Sequence, residues 1–342
     1  MRLLWWLLGL LLLAILALGA LPSSADSPAT RLFLPSVRYD HTPTPTETPT
    51  PTPTPLPSVH FQYRAYVQNQ AWLGWQDEDG YAGTQGIGLA MQAFQMRMTS
   101  GPSGAGIRYR AYVSNRGWLD WQSATVGGGD GGIAGDTGGN QVEAIELALT
   151  NVPSGVYVNT EPYMADWGFL GYVRDNWIAG GIGLSKRMEG FHAKTDQSPA
   201  YAQIHVGYAA YVQGGGSFQS PVHDNQTAGT TGQSLRLEQF KVALYNYPEN
   251  MDIQYRCQYD GSNGWTAYGG GGTLCGVVGK AIFHIQMQLV NPYPGVIFHY
   301  AGHFANVGWR RYDSDNPNES PDVFGDNNRL EALQVAINNT QA

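Results

Sequence analysis

Two stretches of this chain, YRAYVQNQAWLGW at residues 63–75 and YRAYVSNRGWLDW at 109–121, are nearly the same phrase. Self-similarity at a fixed period constrains architecture more than composition does, because each unit must bury its apolar face against its neighbours. Anchoring the chain on the aromatic that follows the first apolar segment gives six copies, at Trp72, Trp118, Phe169, Phe218, Trp265 and Trp309, spaced by 44 to 51 residues.

Each copy has three parts. The first alternates, as in FQYRAYV, IRYRAYV, VGYAAYV, IQYRCQY and IFHYAGHF, so residues two apart share a face and the segment reads as a half-buried strand. Copy three is worn, reading NTEPYMA, and its Pro162 points to an edge or a bulge. The second part carries two aromatics three apart: Trp72 and Trp75, Trp118 and Trp121, Phe169 and Tyr172, Trp265 and Tyr268, Trp309 and Tyr312. Copy four breaks the rule with Phe218 and Pro221. Strand positions three apart face opposite sides. The first ring of each pair (Trp72, Trp118, Phe169, Phe218, Trp265, Trp309) is therefore expected in the core, and the second outside.

The third part is a glycine turn, with Gly83 and Gly86 in copy one and Gly325 and Asn328 in copy six, which leads into a closing segment. Asparagine tolerates the left-handed backbone best after glycine, so Asn328 is expected at positive φ. The closing segments MQAFQM, VEAIEL, MEGFHA, LEQFKV, IFHIQM and LEALQV read as strands because each is short and bounded by turns. Glu143, Glu189, Glu238 and Glu331 recur within them, which favours a structural partner such as a backbone amide or an arginine over four active sites.

The fold class is thus all-β. From the second apolar position of each closing strand (Phe94, Ile145, Phe191, Phe240, Ile285) to the position of the next copy's lead tyrosine is 15 residues, except 17 from Phe191 to Tyr208. The copies divide into two sets of three, 58–196 and 197–342, each expected as a pseudo-three-fold unit of the β-prism or trefoil kind, closed so as to leave no free edge. A six-bladed propeller is the competing arrangement.

Cys257 and Cys275 are the two cysteines, both in copy five, and stand where other copies have alanine (Ala65, Ala111 and Ala210; Ala82, Ala134, Ala179 and Ala228). Two small positions replaced together point to a disulfide, the alternative being two buried thiols. His299 and His303 have the spacing of a helical zinc pair but lie on an expected strand, so no metal site is read there. The loop from Asp313 to Ser320 lacks the glycine and terminal glutamate of an EF-hand and reads as solvated surface. With no nucleophile elbow and no HExxH motif, no catalytic residue or cofactor is assigned, and a glycoside hydrolase stands only as a minor alternative.

Arg2 is followed by an apolar run from Leu3 to Leu21 and by the small residues Ser23 to Ala25, so residues 1–25 read as a signal peptide or an uncleaved signal anchor. Residues 26–57 hold a Pro-Thr tract suited to an extended stalk. Both features imply a secreted or cell-surface protein, touching membrane only through that anchor. A formal net charge of -8, with no basic stripe, excludes nucleic acid as an expected partner.

The string YRAYVQNQAWLGWQDEDGYAGTQG, followed by an ending such as LRLEQFKVAL, resembles the clostridial hydrophobic repeat with its hallmark tryptophan, the ChW family. The likeness runs from about Val59 to Ile337, with departures at Phe169, at Phe218 with Pro221, and in TLCGVVG at 273–279. It implies an exported protein that acts at the cell surface by binding polysaccharide or protein. The expected ligand contacts are the second aromatics Trp75, Trp121, Tyr268 and Tyr312, which could stack on sugar rings. A protein-binding adhesin, with a surface protein as partner, is the alternative.

Overall fold

A computed structural model describes residues 58–200, 203–314 and 321–339. The expected export segment, the Pro-Thr stalk and most of the acidic loop lie outside the described residues.

Six long antiparallel hairpins, one per copy, carry the structure. They pair His60–Val67 with Met91–Ser100, Gly106–Val113 with Val142–Thr150, and Tyr157–Met164 with Met188–Asp196. In the second half, His205–Val212 pairs with Leu237–Pro248, Asp252–Tyr259 with Ile282–Val290, and Val296–Phe304 with Leu330–Asn339. No helix occurs among the described residues. The alternation reads directly into burial: Phe61, Tyr63, Ala65 and Val67 face inward, while His60, Gln62, Arg64 and Tyr66 do not.

A hairpin of this kind leaves the outer edge of its closing strand unpaired, which invites pairing with another chain. Here each such edge is covered by the short glycine strand of another copy. Asp130–Gly135 lies on Met91–Ser100, Trp177–Gly181 on Val142–Thr150, and Ala82–Gly83 returns from copy one to cover Met188–Asp196. The second half repeats the cycle: Cys275–Gly276 covers Leu237–Pro248, Asp322–Phe324 covers Ile282–Val290, and Ala228–Gly229 covers Leu330–Asn339.

Glycine stands at this crossing in five of the six copies. Gly83 has φ +136°, and a Cβ there would collide with the Glu189 carbonyl oxygen; Gly276, at φ +96°, meets the Glu238 carbonyl in the same way. In copy six the register places Val323 and Phe324, not Gly325, at the equivalent of Ala82 and Gly83. The left-handed residues of that turn are Asp326 and Asn327, so the expectation for Asn328 is corrected by one position.

Buried tyrosines tie the copies together. The Tyr63 hydroxyl donates to the Gly80 carbonyl and accepts the Ala193 N–H of copy three, at 2.8 Å. Tyr109 accepts from Met96 of copy one, Tyr255 from Val242 of copy four and Tyr300 from Met287 of copy five. Burial raises the hydroxyl pKa of each, to about 12 for Tyr109, so all stay protonated donors.

The recurring glutamates serve the same cycle. Glu189 accepts the Gly86 N–H and pairs with Arg187; Glu238 accepts the Gly279 N–H and pairs with Arg236. Cys257 and Cys275 form a disulfide, with Cα atoms 6.1 Å apart, which links the opening strand of copy five to its own glycine strand.

Leu237–Pro248 extends past its hairpin and also pairs with Trp177–Gly181, joining strands of both halves into one sheet. Asn246 secures the join: its Oδ1 accepts the Gly180 N–H at 3.1 Å and its Nδ2 donates to the Leu170 carbonyl at 2.8 Å.

Candidate functional site

None of the six aromatics expected in the core is buried there. Trp72, Trp118, Phe218 and Trp265 are half-buried, while Phe169 and Trp309 are 38% and 41% exposed. Cross-strand parity explains this. Trp72 opposes Tyr66, Trp118 opposes Tyr112 and Trp309 opposes His303, all residues of the outer face. The second aromatic stays on that face too, because the chain leaves strand geometry between the two. Leu73 donates to the Ala65 carbonyl, Leu119 to the Ala111 carbonyl, and the spacing of three no longer spans opposite sides.

On the outer face of copies one, two and five an arginine packs against both rings. The Arg64 guanidinium carbon lies 4.8 Å from the Trp72 ring centre and 4.5 Å from that of Trp75, and Arg97 adds a second contact to Trp75 at 4.3 Å. Arg110 does the same between Trp118 and Trp121, with Arg108 at 4.2 Å from Trp121. Arg256 packs between Trp265 and Tyr268. Each arginine is held by its cross-strand partner: Gln95 for Arg64, Glu146 for Arg110, Gln286 for Arg256. Burial raises the Glu146 carboxyl, and the Arg110 charge and hydrogen bond oppose that shift. These rings are engaged by cations of their own chain.

The remaining copies differ. Tyr312 packs on the buried Tyr300, with ring centres 5.2 Å apart. The four expected ligand contacts, Trp75, Trp121, Tyr268 and Tyr312, therefore stand on four separate copies and form no common site. Copy three replaces the stack with an aromatic cluster of Tyr81, Tyr163, Phe169 and His192. Copy four has Ala209 at the arginine position, opposite Lys241, which lies over Phe218. Copy six has Ala301 there, opposite Gln334.

An open concavity lies where the strand Trp177–Gly181 meets the end of Leu237–Pro248. This groove, about 730 Å³, is lined by Tyr157, by Arg174 to Trp177 and by Pro248 to Asn250. Trp177 meets Tyr293 edge to face at 5.0 Å, and the Arg174 guanidinium lies near both rings and donates to the Tyr293 hydroxyl. Asn176 accepts from Arg108 at 2.7 Å, and Glu249 from Arg110 at 2.5 Å. The Asp175 carboxylate accepts the Val158 N–H; burial pushes its pKa up to about 6 against that hydrogen bond. The groove thus combines aromatic rings with planar polar side chains whose orientations are fixed by their neighbours. Among the described residues no three His, Cys, Asp or Glu side chains gather as a metal site.

Repetition could not reveal the groove, since its residues occur once, in the worn third copy and in a hairpin turn. The arginine stacks did leave a signal, YRAYV, YRAYV and YRCQY, in the recurrence of arginine after the lead tyrosine.

The model of the family Clostridial hydrophobic W matches residues 66–100 and 211–246. The chain carries two ChW repeats. They occupy equivalent places, each beginning three residues after a buried lead tyrosine, Tyr63 or Tyr208, and ending within the closing strand or at its end. Each ChW match falls in the first copy of its half. No curated protein and no solved structure matches the chain.

Proposed function

We propose that this is an exported, non-catalytic surface protein of six ChW-type copies that binds carbohydrate or a cell-wall polymer through the groove beside Trp177. The observation that carries the reading is the groove's chemistry. The half-buried Tyr157 ring can pack on the apolar face of a sugar, and the amide, guanidinium and carboxylate groups of Asn176, Asn250, Arg174 and Glu249 can exchange hydrogen bonds with hydroxyls. The apolar N-terminal run and the disulfide favour an extracellular setting.

Two pseudo-three-fold units of the β-prism or trefoil kind, 58–196 and 197–342, account for the copies better than one six-bladed ring. The return pairings of Ala82–Gly83 and Ala228–Gly229 support this, because each closes a cycle after three copies.

Affinity retention of the full-length protein on purified cell walls and insoluble polysaccharides tests the binding. Tyr157→Ala combined with Asn250→Ala should weaken retention at least tenfold, about 1.4 kcal/mol, with the thermal midpoint unchanged. Trp75→Ala should leave retention intact. Retention on no glycan, or retention indifferent to the groove variant, would overturn the reading. A protein-contacting adhesin is the second reading, favoured by Leu274, Val277 and Val278, which are 57%, 41% and 54% exposed within five residues of copy five.

A further inference from the structure

We propose that the outer face of copy six holds a second saccharide subsite, separate from the groove, which takes one neutral sugar residue through two adjacent hydroxyls. This rests on the carbohydrate reading above and adds a site that the groove does not supply.

Ala301 follows the buried Tyr300 as Arg64 follows Tyr63, Arg110 follows Tyr109 and Arg256 follows Tyr255. Its cross-strand partner Gln334 corresponds to Gln95 and Gln286, which hold the arginine in copies one and five. Shortening the side chain to alanine leaves a cleft of about 190 Å³ at this place, room for roughly six waters at ~30 Å³ each. Ala301 and Ala336 line it together with His299, Arg311, Gln334 and Asn338.

The charges at the cleft are already paired. Arg311 Nε lies 2.7 Å from Asp313 Oδ1, and His299 Nδ1 lies 2.5 Å from the same oxygen. Asn338 Nδ2 sits 2.9 Å from His299 Nε2, so the imidazole accepts there and donates from Nδ1. Gln334 commits its Nε2 to Thr227 Oγ1 at 2.9 Å. The cleft is lined by planar polar side chains, the Arg311 guanidinium and the amides of Gln334 and Asn338, which bring donors and acceptors together. A hydroxyl both donates and accepts, so two neighbouring hydroxyls match one donor pair beside two acceptors. Trp309 stands on the same face of the same strand as Arg311, two residues away, and is 41% exposed.

Saturation-transfer NMR of the full-length protein with methyl glycosides of neutral hexoses and N-acetylhexosamines, at millimolar concentration, tests the subsite. Transfer to at least one glycoside is expected, with affinity lowered tenfold or more by Ala301→Arg, which restores the sister copies' side chain. Ala301→Arg should keep the polysaccharide retention that the Tyr157 and Asn250 variant loses. Should Ala301→Arg fail to fold, Arg311→Ala decides, since that side chain is 63% exposed and its removal should likewise abolish transfer. Transfer of equal strength in wild type and folded variants would overturn the subsite. So would absence of transfer from every glycoside with polysaccharide retention intact; loss of both would remove the carbohydrate reading itself.

Discussion

The hydroxyl of Tyr63 closes one copy and opens the next: it donates to the Gly80 carbonyl of its own turn and accepts the Ala193 N–H from copy three. Tyr63→Phe leaves a buried N–H and a buried carbonyl without that partner, and should cost about 1–3 kcal/mol in urea unfolding. A pH dependence resides at His205. Burial lowers its pKa, but the hydrogen bond and charge of Asp224 outweigh burial and raise it overall. Burial likewise raises Asp224, and hydrogen bonds from His205 and His223 more than reverse the shift. A raised histidine stabilises fully below its unfolded value near 6.5 and loses that contribution as pH rises through its folded value. A lowered aspartate stabilises above about 3.9 and loses it as pH falls. The pair therefore contributes most between about pH 4 and 6.5. Unfolding free energy should drop from pH 6 to pH 8, and His205→Gln should flatten that drop; an unchanged slope would assign the dependence elsewhere.

At the scale of elements, the alternating opening strand is the part that repetition made legible; the glycine turn, a short strand on another copy, and the aromatic pair are the parts that it did not. Alternation in YRAYV placed Tyr63, Ala65 and Val67 inward because a strand has a strict period of two. The same rule failed for Trp72 and Trp75, since the chain turns between them, and an arginine then claimed both rings. Asn328 failed for a smaller reason, a one-residue shift of register that put Phe324 where the other copies have glycine. Cysteine placement was legible, because two alanine positions change together where the opening strand and the glycine strand lie side by side. Replacing both cysteines by alanine, as in the sister copies, should cost about 3 kcal/mol for a loop of 18 residues. Gly83→Ala should cost more than about 2 kcal/mol, from its positive φ and from collision with the Glu189 carbonyl, whereas alanine at Gly104, with open space around it, should cost only its φ strain.

In the whole molecule, the sheet shared by Trp177–Gly181 and Leu237–Pro248 joins the two cycles and forms the groove at the same place. That coincidence explains why copy three departs from its sisters: its Asp175, Asn176 and Trp177 line a surface that no other copy has. None of this could be read from the repeat, which describes what copies share, while a binding groove between halves depends on what one copy does alone. The groove as glycan site is tested most directly by hydrogen–deuterium exchange of the full-length protein with and without the polysaccharide that retains it. The account predicts slowed exchange at Tyr157, at Arg174 to Trp177 and at Glu249 to Asn250, with little change at Trp72 to Trp75 or Trp118 to Trp121. Protection confined to those two tryptophan segments, with the groove unaltered, would contradict it.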